Sequence, residues 1–175
     1  MYPGNYGYIP NTITDDGDPV DVCDIGSKVH PSGSIIKVKV LGTLAMIDEG
    51  ETDWKMLAID VTDELAPKLN DVEDIETHMP GFLAATIEWF KIYKMPDGKP
   101  ANEFAFNGEP KNREFAEKII AGTHESWKKL MSGSSNPMGL SIINTSLDNT
   151  ASVDQEQAKG VISEVSELPF SLKIF

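Results

Sequence analysis

Asp15-Asp16-Gly17-Asp18-Pro19-Val20-Asp21 places four carboxylates in seven positions. Gly17 and Pro19 forbid a helix through it. Read as an extended loop at a strand edge, it points Asp16 and Asp18 one way and Asp21 the other. Two carboxylates about 4 Å apart repel by roughly 4 kcal/mol at an effective dielectric near 20, so the cluster must hold protons or cations. Oxygen donors with no Cys or His beside them suit hard cations, magnesium, manganese or calcium, rather than zinc. An acidic surface turn is the competing reading of these seven residues alone. An EF-hand is disfavoured, because the position that needs Gly, sixth from Asp16, is Asp21.

Working outward, Tyr2 to Pro10 alternates turn formers with aromatics and predicts a turn feeding a short strand. On the other side, Gly26 to Gly33 is a connection. Ser34 to Met46 carries Ile35, Ile36, Val38, Val40 and Leu44 in a strand pattern that bends at Gly42. A second acidic turn, Asp48-Glu49-Gly50-Glu51-Thr52-Asp53, leads into a strand from Trp54 to Val61, so the pair forms a hairpin with an oxygen-rich tip. The third acidic run, 71–76, has no chemistry partner beside it and reads as a solvated helix start or loop. Apolar spacing predicts helices over Phe82 to about Tyr93 and about Asn112 to Met131. The Ser/Gly/Asn-rich stretch 132–160 reads as irregular, with Phe170 to Phe175 able to dock back. Strands first and helices later make an α+β domain, mainly β with two longer helices. Its bounds are 1–131, with 132–175 as a C-terminal extension.

Composition narrows the function. Fifteen Lys and Arg against 28 Asp and Glu give a net charge of −13, which disfavours nonspecific nucleic-acid or anionic-membrane partners. Something other than net charge would have to attract an anionic ligand, and bound metal would serve. The single cysteine, Cys23, cannot form an intrachain disulfide and points to a reducing compartment. No apolar run reaches the ~18 residues of a membrane span, and the N-terminus lacks signal-peptide and transit-peptide patterns.

The two acidic loops together offer Asp16, Asp18, Asp21, Asp48 and Asp53, oxygen enough for two or three divalent ions. Such carboxylate sites serve phosphoryl chemistry. Lys55, two residues beyond Asp53, shares its face on a strand. Tyr93 and Lys94 offer a phenol and an ammonium at a helix end, although a lysine there also complements the helix dipole. His30, His78 and His124 are scattered and read as ordinary histidines.

These residues resemble a known family. Asp16-Gly17-Asp18-Pro19-Val20-Asp21-Val22 is similar to the signature of the soluble family I inorganic pyrophosphatases. Tyr6 within Asn5-Tyr6-Gly7-Tyr8, the loop from Asp48 to Lys55, and Tyr93-Lys94 fall where that family carries active-site residues. The likeness covers residues 2 to about 131 and is eukaryotic in character after residue 40. It implies an OB-like five-stranded β-barrel and magnesium-dependent hydrolysis of pyrophosphate to two phosphates, with manganese as a substitute ion. It further implies Asp16, Asp21, Asp48 and Asp53 as metal ligands and Asp18 as the general base. Lys55, Tyr93, Lys94 and Tyr6 would contact substrate. A cytoplasmic homodimer is the implied form, mitochondrial if a targeting segment has been lost.

One departure accompanies the likeness. Family members carry a segment ahead of the tyrosine motif, with barrel strands and active-site cations, whereas Met1 here precedes that motif closely. The expectation is a barrel incomplete at its N-terminal strands and impaired turnover. The alternative is a catalytically silent metal-binding or assembly module.

Overall fold

The computed structural model describes residues 3–48, 50–137, 139–140 and 153–166. They group into two compact units, residues 1–127 and 128–175.

The first unit is built on a long hairpin. β3 (Val38–Asp48) and β4 (Glu51–Asp60) pair antiparallel from Val38↔Asp60 to Asp48↔Glu51. The expected bend is a register shift between Val40 and Gly42. β3 starts later than the apolar pattern suggests. Val38 pairs the last residue of β4, so residues 34–37 run beyond the ladder and Ile35 is 95% exposed. β2 (Asp21–Asp24) lies parallel to β4, and β1 (Asn5–Tyr8) pairs antiparallel with β2. Two-residue strands β5 (Glu103–Phe104) and β6 (Lys111–Asn112) both pair with β3. The order is therefore β1-β2-β4-β3-β5 with β6 beside it. This is a mixed six-stranded sheet whose ends do not pair among the described residues, in keeping with the expected OB-like barrel left incomplete.

Alternation along β4 gives the sheet two buried faces. Leu57 and Ile59 join Leu41, Leu44, Met46, Ile75 and Phe90 in the larger core. Helices α1 (Val72–His78) and α2 (Phe82–Ile92) contribute Ile75 and Phe90 to it. The third acidic run proves to be a helix start, because Asp71 and Asp74 form a capping box. On the other face, Met56 and Val20 meet Ala116, with Ile119 and Ile120 packed around them. These last three belong to α3 (Arg113–Met131).

The second unit corrects one expectation. Composition predicts an irregular stretch over 132–160, but α4 runs from Gln155 to Ser166. Asp154 caps it, accepting from the N–H groups of Glu156 at 2.9 Å and Gln157 at 2.8 Å, while Gln157 Oε1 accepts from Asp154 N–H at 3.1 Å. That reciprocal Asp-x-x-Gln box is a local helix-start signal, and it outweighs the polar composition around it. The docking of 170–175 lies outside the described residues.

Candidate active site

The acidic loop is a closed turn, not the extended strand edge that parity assumes. Thr14 N–H reaches Asp18 O at 2.8 Å, Thr14 Oγ1 reaches the same oxygen at 2.7 Å, and Asp18 N–H donates to Asp16 Oδ1 at 2.9 Å. Gly17, at φ 88°, supplies the left-handed step the turn requires. The two carboxylates still face one space, because the turn does what a strand would have done. Asp16 and Asp18 line a cleft of about 390 Å³ with Asp48, Glu51 and Asp53. Asp48 and Glu51 face each other across the end of the hairpin.

Behind the cleft, the parallel pairing of β2 with β4 sets Asp21 beside Lys55. Lys55 is only 3% exposed. Its ammonium donates to Asp21, to Asp53 Oδ2 at 2.6 Å and to Tyr6 Oη at 2.8 Å, and Tyr6 Oη donates in turn to Asp21. It also lies 5.5 Å from the Tyr6 ring centre and 5.7 Å from that of Phe90. Burial opposes its charge, yet bonds to Asp21 and Asp53 hold the Lys55 ammonium above its ordinary range. Burial likewise pushes the Asp53 carboxyl up, with Lys55 opposing and the charges of Asp21 and Asp16 adding. The Tyr6 phenol is raised by burial and by Asp21, so it stays protonated and donates.

A second cation enters from α2. Lys94, just beyond the helix, is bonded to Asp48. Partial burial works against its charge, but Asp48 and Tyr93 outweigh it and raise the ammonium. Tyr93 stacks on Trp89 at 5.0 Å between ring centres.

The donor set decides what the cleft could hold. Its lining is carboxylate oxygen alone, the chemistry of a hard divalent cation. Among the described residues, no three His, Cys, Asp or Glu side chains are gathered at metal-binding distance. Asp21 and Asp53 instead close on Lys55, so a cation would have to compete with that ammonium.

Residues 1–128 match the family model of inorganic pyrophosphatase. The chain belongs to that family. It is 51% identical to the inorganic pyrophosphatase of Candida albicans over 93% of this chain and 61% of the relative. With that of Drosophila melanogaster the identity is 48%, over 95% of this chain and 53% of the relative. The structure of the Schistosoma japonicum inorganic pyrophosphatase superposes with a TM-score of 0.72 at 49% identity, covering 86% of this chain and 64% of that one. An N-terminal domain truncated Trypanosoma cruzi vacuolar soluble pyrophosphatase in complex with PPi gives 0.69 at 39% identity, covering 73% and 52%. The chain spans about 60% of the length of the fungal relatives it matches.

Of the residues singled out in the sequence, Asp16, Asp18, Asp48 and Asp53 meet in the cleft. Tyr6, Asp21 and Lys55 form the buried network behind it, and Lys94 reaches Asp48. Tyr93 is joined to the site through Lys94, whose ammonium lies 5.6 Å from its ring centre. Glu51 is a cleft residue that the sequence pattern did not single out. It stands in the second acidic turn, but the apolar pattern begins β4 at Trp54, and only the register that opposes Glu51 to Asp48 brings it to the cleft. Thr14, which closes the loop, carries no signal beyond its neighbourhood. His30 lies elsewhere, facing Asp24 at 3.6 Å and Asp60 at 3.3 Å. The Cys23 thiol is buried and pushed up to about 12, an inert core group.

Proposed function

We propose that this chain hydrolyses inorganic pyrophosphate to two phosphates. The observation that carries the reading is the cleft in which Asp18 stands among Asp16, Asp48, Glu51 and Asp53 in a member of this family. Water attacks one phosphorus of the P–O–P bridge, the bridging bond breaks, and the bridge oxygen leaves with the second phosphate. Asp18 takes the proton from the attacking water. It suits that role because it lines the cleft and has no lysine partner among the described residues, whereas Asp21 and Asp53 are engaged by Lys55 and Asp48 by Lys94. Lys55 and Lys94 hold phosphate oxygens, with the Tyr6 and Tyr93 hydroxyls as further donors. Asp16, Asp21, Asp48 and Asp53 would hold magnesium, or manganese in its place, which would offset phosphate charge and acidify the attacking water.

Among the described residues no helix is long and apolar enough to cross a membrane. The lone buried cysteine suits a reducing compartment, and a cytoplasmic homodimer is the form this reading takes. Residues 1–131 are its functional domain and 132–175 an extension.

The test is phosphate release from magnesium pyrophosphate. Asp18→Asn is expected to lower kcat by about 10²–10⁴-fold, with magnesium affinity changed much less. Lost magnesium affinity, with turnover restored by excess magnesium, would make Asp18 a ligand instead. No release by the parent chain, with magnesium still bound, would select the silent metal-binding module.

A further inference from the structure

We propose that Asn102 is the positioning residue that fixes Tyr93 and Lys94 at the acidic cleft. The inference rests on the phosphate-binding reading of those two residues and names the group that places them.

The last four carbonyls of a helix have no partner within it. In α2 these belong to Trp89, Phe90, Lys91 and Ile92. Asn102 takes two of them, its Nδ2 donating to Phe90 O at 2.9 Å and its backbone N–H to Lys91 O at 2.8 Å. The same Nδ2 lies 3.5 Å from Met46 Sδ on β3. Asn102 is 8% exposed, and a buried amide is tolerated only where its donors find acceptors. Both donors of this one are directed at the junction of α2 and β3.

The next two residues tie that junction to the site. Glu103 and Phe104 form β5 and pair with Ile47 and Met46. The residue after Ile47 is Asp48, the partner of Lys94. Asn102 therefore clamps the end of α2 to the end of β3, two residues before Asp48 on one chain segment and four before Lys94 on the other. The segment between, 94–101, carries Pro96, Gly98 and Pro100, and Met95 in it is half exposed. It closes a turn on the Lys94 carbonyl, from Asp97 N–H at 3.1 Å, and Asn102 is what ties that turn to the helix end and to β3. Asn102 does not line the cleft, so it acts through Tyr93 and Lys94 and not on substrate.

The test combines turnover with a readout independent of it. Asn102→Ala is expected to lower kcat/KM for magnesium pyrophosphate by about 10–100-fold, as misplacement of a substrate-holding group does. In a Tyr93→Phe, Lys94→Ala background, the same substitution should change kcat/KM by no more than about twofold, since both groups it positions are gone. Amine acetylation of the full chain, followed by mass spectrometry, reads the position of Lys94 directly. Lys94 should label several-fold faster in Asn102→Ala, while exposed Lys118 and buried Lys55 keep their parent rates and report an intact fold. Asn102→Ser, which leaves a shorter hydrogen-bonding group in the same slot, runs in parallel and carries the comparison if the alanine variant does not fold. Unchanged Lys94 labelling overturns the proposal whatever the turnover. An inactive parent whose Lys94 labelling still rises on substitution supports the clamp and defeats the pyrophosphate reading, so the two failures are separable.

Discussion

Lys55 is held by two carboxylates and a phenol, and its burial makes those bonds obligatory. An ammonium at 3% exposure without partners would be neutralised or expelled. The dependence runs both ways. Asp21 and Asp53, at 28% and 19% side-chain exposure, would be left facing each other and Asp16 if the ammonium were removed. Lys55→Met is therefore expected to destabilise the metal-free chain. Breaking one side of a buried pair costs about 3–5 kcal/mol, and the partial exposure here puts the cost toward the low end. Magnesium should restore much of that loss, because the substitution frees the two carboxylates for a divalent cation. The measurement is the melting temperature of both proteins with and without magnesium chloride. A larger magnesium-induced rise in Lys55→Met than in the parent is expected. An equal or smaller rise would mean that Lys55 and the cation do not compete for these oxygens.

The β3–β4 hairpin carries Asp48 at the end of one strand and Asp53 and Lys55 on the other, so its register sets the site. Gly42 fixes that register where β3 shifts against β4. A Cβ there would stand 2.5 Å from Lys111 O and 3.0 Å from Val72 Cβ. Gly42→Ala should cost about 1–3 kcal/mol through overpacking of β6 and α1 against the strand, read from urea unfolding. A change within about 0.5 kcal/mol, ordinary for a surface site, would show that β6 gives way freely. The hairpin, helices α2 and α3 and the bend at Gly42 are legible in the sequence because each is a local pattern of apolar period and turn residue. So are Asp53 and Lys55 on one face, since strand parity is local too. Pairing between distant segments is not legible. Nothing in Val20-Asp21-Val22-Cys23 announces a parallel partner in β4, yet that pairing puts Asp21 against Lys55. Asn102 matters through the same kind of pairing, that of β5 on β3, whereas Glu51 is missed because the apolar pattern starts β4 at Trp54, short of the hairpin end. The Thr14–Asp18 turn escapes strand parity for another reason, since its side-chain bonds outcompete the extended form.

A net charge of −13 and five carboxylates around one cleft set the terms on which any anion enters. Pyrophosphate adds further negative charge, while the two lysines at the site are already bonded to Asp21, Asp53 and Asp48. Binding of pyrophosphate by the metal-free chain is therefore electrostatically opposed, and on the proposed reading a divalent cation would come first or together with it. The same surplus predicts a response to metal alone. A ligand bound by the folded state only adds RT ln(1 + [L]/Kd), about 2.7 kcal/mol at a hundredfold excess over Kd. Magnesium chloride is thus expected to raise the melting temperature along a saturating curve. General charge screening would give a different shape. Sodium chloride at matched ionic strength, with a Debye length near ~10 Å at 0.1 M, weakens repulsion everywhere and without saturation. Asp53→Asn should abolish the saturable part, because it removes a proposed ligand from the cluster. Glu114→Gln, on the exposed flank of α3 beside Lys118, should leave it intact. If sodium chloride reproduces the whole magnesium effect, the cleft is an acidic surface and not a metal site, and the hydrolytic reading falls with it.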